Sequence, residues 1–204
     1  MQPSKIVCIG RNYADHAKEL GNEVPREPLI FLKPPSALLP PGGTIVLPLA
    51  SNQVEFEGEI GVVIGKRAQR VAEGDAESFI AGYTCVNDVT CRDLQKTDGQ
   101  WTRAKGFDTF CPVGPAVAAL DWRTLSIVTR VNGVERQRGL SSDMIFSIPR
   151  LVAHVSAIMT LEPGDLIATG TPAGVGRLAP GDVVEVEIPG IGILSNHVAA
   201  QESP

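Results

Sequence analysis

The stretch VEFEGEIGVVIG, residues 54–65, sets Glu55, Glu57 and Glu59 at every second position before running into continuous apolar sequence. In a strand, that period sends the three carboxylates to one face and Val54, Phe56 and Ile60 to the other. Like charges so arranged repel. The GVVIG that follows has the pattern of a strand covered on both faces, where water is scarce. A positive group that the sequence itself does not show is therefore expected there. Two carboxylates at i and i+2, joined by an acid from elsewhere, are the hard oxygen donors that Mg²⁺, Mn²⁺ or Ca²⁺ prefer. Asp88 is the natural third, because CVNDVT, residues 85–90, sets an acid inside an otherwise buried strand. A solvated acidic strand face would show the same alternation, and spacing does not say which two of the three glutamates bind.

Around this segment the 204 residues carry 21 Gly and 16 Pro, spread between short apolar runs rather than gathered in a tail. That punctuation predicts many short strands joined by turns. Strands are expected at residues 5–10, 29–33, 43–48, 55–65, 81–90, 115–120, 126–133, 165–170, 182–188 and 192–198. Helices are expected at 12–20, 73–81, 92–99 and 147–159, the last from the helical spacing of Leu151, Val155, Ile158 and Met159. Asn132-Gly133 predicts a tight hairpin turn. The whole, residues 1–204, reads as one α+β domain, a β-roll or sandwich with peripheral helices.

The formal net charge of -5 and the absence of a basic run argue against a nucleic-acid partner. No apolar stretch approaches the length of a membrane span or a signal sequence. The four cysteines form no CxxC pair, so neither a zinc knuckle nor a disulfide framework is indicated, and a cytoplasmic protein is expected.

Three other segments carry possible chemistry. In RNYADHAKEL, residues 11–20, His16 and Glu19 share a helix face, so the carboxylate can orient the imidazole as a general base. A surface ion pair would look the same. His154 and His197 have no acid at useful spacing and read as structural. In WTRAKGFDTFCPVGP, residues 101–115, Lys105 lies among aromatic and apolar residues, where a cation needs an anion such as a substrate carboxylate. In ATGTPAGVG, residues 168–176, glycines can bring backbone N–H groups to an anion, although the lysine of a nucleotide-binding loop is missing.

Taken in order, CIGRNYADHAKEL, PLIFLKPPSAL, EGEIGVVIG, GYTCVNDVTCRDLQ, RAKGFDTFCPVGP, LEPGDLIATGTPAGVG and GDVVEVEIPGIGILSN cover nearly the whole chain. Together they resemble the fumarylacetoacetate hydrolase family, in its short, single-domain, acylpyruvase-like branch. The resemblance implies a divalent ion, usually Mg²⁺, held by Glu57, Glu59 and Asp88, with Glu55 beside the ligands or on the surface. It implies a His16–Glu19 dyad on a lid, a substrate-side Lys105, and substrate contacts from Arg11, Gln95 and Thr171. It implies a homodimer as well. The activity it implies is hydrolysis of the C3–C4 bond of an acylpyruvate to pyruvate and a carboxylic acid. Oxaloacetate decarboxylation, or isomerisation of an unsaturated 2-oxo diacid, is the alternative. A catalytically silent binding protein would keep the fold and lose a ligand or the dyad, and all of these positions are filled.

Overall fold

The acidic segment expected to form one strand forms two. In the computed structural model, which describes residues 2–19 and 21–202, the chain opens with β1 (Ile6–Gly10), α1 (Ala14–Glu19), β2 (Leu29–Lys33), β3 (Leu38–Leu39) and β4 (Thr44–Leu47). Then come β5 (Val54–Phe56) and β6 (Gly58–Ile64), parted at Glu57. They are followed by β7 (Ile80–Asn87), β8 (Thr90–Cys91), α2 (Arg92–Thr97), α3 (Thr102–Lys105) and β9 (Cys111–Ala118). The last part contains β10 (Ser126–Val131), β11 (Val134–Leu140), α4 (Ile148–Ile158), β12 (Leu166–Ala168), β13 (Gly176–Arg177), β14 (Val183–Ile188) and β15 (Gly192–Ala200).

The break at Glu57 is where the chain changes sheets. β6 lies inside a seven-stranded sheet, β2-β1-β12-β6-β7-β9-β3, whereas β5 lies in a small sheet, β13-β5-β8. The backbone at the break is satisfied by side-chain amides. Asn87 Oδ1 accepts from the Glu57 N–H at 3.0 Å, and Gln137 Oε1 accepts from the Gly58 N–H at 3.0 Å. The neighbouring strand breaks at the same level. Glu55 faces Thr90 and Gly58 faces Asn87, so the register carried through the gap puts Asp88 opposite Glu57. The Asp88 N–H donates to the Glu57 carbonyl at 2.8 Å, in agreement.

β6 is buried along its whole length, as the GVVIG pattern predicts. On one face Ile60, Val62 and Ile64 pack with Ile127, Val186, Leu194 and the inner side of α4. On the other, Val63 and Val86 join Ile6, Cys8, Cys111 and Leu166. A second sheet, β11-β10-β14-β15-β4, closes over the first and completes the expected mixed roll with few helices. The β10–β11 hairpin turns through Asn132 and Gly133, both at positive φ, as their sequence predicts.

Several boundaries differ from expectation. Residues 73–79 form a 3₁₀ helix rather than an α-helix, with Gly74 and Asp75, poor helix formers, at its start. The strand expected at 115–120 begins at Cys111. Leu151 and Val155 are buried in α4 while Ile158, at the helix end, is 56% exposed. The first helix forms over Ala14–Glu19, and Leu20 lies outside the described residues.

Candidate active site

Glu57, Glu59 and Asp88 each offer one carboxylate oxygen, all within 4.8 Å of one another and all buried. Glu57 and Glu59 share a face because Gly58 between them turns the other way. A Cβ at Gly58 would come within 1.9 Å of Thr129 Oγ1 on β10, so only glycine lets the two sheets approach this closely.

The positive charge expected beside these acids comes first from the chain itself. Lys105 Nζ donates to Glu57 Oε2 at 2.7 Å and to Asp88 Oδ2 at 2.6 Å. Lys33 Nζ donates to Asp88 Oδ1 at 2.5 Å and to the Val89 carbonyl at 3.1 Å. Arg92 spans Glu55 (2.8 Å) and Glu57 (2.6 Å). Glu55 is therefore a buried neighbour of the other acids and not a surface acid. Three cations thus face four acids, and Glu59 is left over. Among the described residues its carboxylate accepts only the Gly170 N–H, at 2.8 Å. Burial, then repulsion from Asp88 and Glu57, pushes the Glu59 pKa well above the usual carboxylate range. At Glu57 burial acts in the same sense, but Lys105 and Arg92 outweigh it and the pKa falls below that range. Burial would lower the Lys105 pKa, and Asp88 and Glu57 together raise it instead. A buried set of hard oxygen donors, one with no cation on it, fits a divalent ion of the Mg²⁺, Mn²⁺ or Ca²⁺ kind.

Across from the acids, His16 Nδ1 lies 3.3 Å from Glu19 Oε2, and the imidazole is almost wholly buried. Both Glu19 oxygens also accept from the Gly174 N–H, at 3.1 and 3.2 Å. The glycines of residues 168–176 do bring N–H groups to anions, but those anions are Glu59 and Glu19. Gly174 is at φ +101°, and a Cβ there would lie 2.1 Å from the Arg136 carbonyl.

All nine residues singled out in the sequence, namely Arg11, His16, Glu19, Glu57, Glu59, Asp88, Gln95, Lys105 and Thr171, line one cavity of about 390 Å³. Their engagement differs from expectation in three cases. Lys105 is seated on the carboxylates rather than held free for substrate. Gln95 Oε1 accepts from Arg92 at 2.6 Å. The Thr171 hydroxyl donates to the Gly58 carbonyl at 2.8 Å and accepts from Gln137 at 2.7 Å. Arg11, at φ +58°, stands over the Trp101 ring at 6.0 Å. His154 and His197 lie outside the cavity.

Lys33 and Arg92 escaped the reading of the sequence. Lys33, at the end of LIFLK, is like Lys105 a cation among apolar residues, and that signal marks it in the sequence.

Residues 5–199 match the family model described as fumarylacetoacetate (FAA) hydrolase, C-terminal. An Arabidopsis thaliana protein named as a mitochondrial oxaloacetate tautomerase is 46% identical over 210 residues, spanning 100% of this chain and 94% of that one. A Dictyostelium discoideum protein named as a mitochondrial oxaloacetate decarboxylase is 46% identical over 195 residues, spanning 92% of this chain and 89% of its own. The crystal structure of a 5-carboxymethyl-2-hydroxymuconate delta-isomerase from Mycobacterium smegmatis superposes with a TM-score of 0.93 at 47% identity, covering 100% of this chain and 81% of that one.

Proposed function

The chain belongs to the fumarylacetoacetate hydrolase family, and we propose that it is an enzyme moving a proton between the keto and enol forms of a 2-oxo acid, with oxaloacetate the first substrate to try. The observation that carries this reading is a carboxylate-oriented imidazole facing, across one cavity, a buried acid cluster with a charge to spare. With Nδ1–H donated to Glu19, His16 keeps Nε2 as its basic nitrogen. Nε2 takes a proton from C3 of the substrate, and the C3–H electron pair becomes the C2–C3 double bond. The C2=O pair moves onto oxygen. Return of the proton to that oxygen gives the enol, and no other atom is gained or lost. A divalent ion held by Glu57, Glu59 and Asp88 would supply Lewis-acid charge beside the substrate's carboxylate and 2-oxo oxygens. Lys105 keeps two of those acids apart and oriented.

The relatives' names support this reading over hydrolysis of acylpyruvates. Hydrolysis stays as a second reading because the same imidazole is equally able to take a proton from water. Decarboxylation of oxaloacetate needs the acid cluster but no base. The three separate in one experiment. Keto–enol conversion of oxaloacetate and pyruvate release from acetylpyruvate are followed with Mg²⁺ and with chelator, in wild type and in His16→Ala. Tautomerisation that needs both metal and His16, with a fall of about 100-fold or more in the variant, is the expected result. Metal-dependent loss of CO₂ indifferent to His16 would replace the proposal with a decarboxylase, and pyruvate release from acetylpyruvate alone would replace it with a hydrolase.

A further inference from the structure

We propose that Lys96, together with Arg11, forms a subsite for a second carboxylate at the far end of the substrate, and that Lys96 makes the enzyme selective for 2-oxo dicarboxylic acids. This rests on the reading of the cavity as a 2-oxo acid site. The cavity is lined by four cations, and two of them, Arg92 and Lys105, are spent on Glu55, Glu57 and Asp88. Arg11 and Lys96 form no ion pair with any acid among the described residues, although both face the same cavity. Arg11 is half-buried against Trp101 and Lys96 is exposed at the rim.

The helix carrying Lys96 gives the subsite its position. Arg92, Gln95 and Lys96 are spaced i, i+3, i+4 along α2 and share a face. Arg92 is buried on Glu57 at the floor, and Gln95 is bonded to it. Lys96 lies one turn on, a rise of about 6 Å, toward solvent. A short 2-oxo diacid whose reacting end sits at the acid cluster therefore carries its other carboxylate up this column to the rim.

Charge balance agrees. With every carboxylate ionised, as a bound metal ion would require of Glu59, the acids Glu19, Glu55, Glu57, Glu59 and Asp88 match the cations Arg11, Lys33, Arg92, Lys96 and Lys105 one for one. A bound divalent cation leaves the site two charges positive, and a dianionic substrate restores neutrality. A monoanion such as acetylpyruvate leaves one cation unmatched.

The test compares oxaloacetate with its 4-methyl ester, which keeps the reacting centre and loses only the distal charge. Wild type is expected to show a lower KM for oxaloacetate than for the ester. Lys96→Gln should narrow that preference about tenfold, through KM rather than kcat, and Arg11→Gln should act in the same direction. Raising the salt concentration should erode the preference in wild type, since a rim charge is screened. Equal preference in wild type and Lys96→Gln would overturn the proposal. If neither compound is turned over, displacement of bound oxalate by the diacid and by the ester, in wild type and Lys96→Gln, decides the subsite separately from the reaction. Oxalate has no distal group, so a fall in its own affinity in the variant would also count against a distal site.

Discussion

Glu59 is the residue at which the acid cluster is most exposed to challenge. Its pKa is raised in the folded chain, so it binds a proton more tightly folded than unfolded. The stability it contributes is present below the ordinary carboxylate range and is lost as pH rises through the raised value. Glu57, lowered instead, contributes stability above the ordinary range and loses it only as pH falls below that range, so the two changes fall in separate windows. Chelated wild type is therefore expected to melt at a higher temperature at about pH 5.5 than at about pH 8. Glu59→Gln should flatten that rise and lose metal affinity by at least about tenfold, measured by calorimetry alongside the melting curves. Coincident pH profiles would sink the argument. An acid cluster among Glu55, Glu57, Glu59 and Asp88 was legible from a period of two in an apolar strand, but which two glutamates join Asp88 came only from the family resemblance. Lys33 carries the same mark as Lys105, a cation at the end of an apolar run, whereas Arg92 was not legible, since the acid that holds it stands 35 residues away and leaves no local mark.

Among the elements, α1 depends on a contact outside itself. It is a six-residue helix, too short to be stable alone, and Glu19 ties it to the loop after β12 through the Gly174 N–H. Gly174→Ala strains a positive φ and drives a Cβ into the Arg136 carbonyl, so the loop must move and Glu19 loses its anchor. The expected outcome is a fall in turnover of roughly tenfold or more with metal affinity near wild type. Equal loss of metal binding would show instead that the acid cluster had been disturbed. The α4 helix and the Asn132-Gly133 hairpin could be read from periodicity and turn chemistry. The break at Glu57 could not, because an unbroken period of two says nothing about which sheet each half joins. The groups that permit the break, Asn87 and Gln137, are ordinary amides in the sequence.

At the scale of the molecule, a ligand that binds only the folded chain shifts the folding equilibrium by mass action. Mg²⁺ or Mn²⁺ at about 100 times its dissociation constant adds ~2.7 kcal/mol. For a chain of this size that is a rise of roughly 5–10 °C in Tm, reversed by chelator. A Tm indifferent to metal would argue that Lys105 and its neighbours already satisfy the cluster. None of the described helices is long and apolar enough to cross a membrane.

The paired breaks at Glu57 and Asp88 have a consequence for how such a site can be inherited. All three acids belong to one antiparallel unit, β6 and β7 with their flanking residues, continuous from 57 to 88. The cations that quiet them, Lys33, Arg92 and Lys105, all lie outside it. A recombination that moved this unit into another sheet would carry the acid cluster and leave its counter-charges behind. The graft would demand a metal ion more strongly than the parent does, and changes at three scattered cations could retune it without touching a ligand.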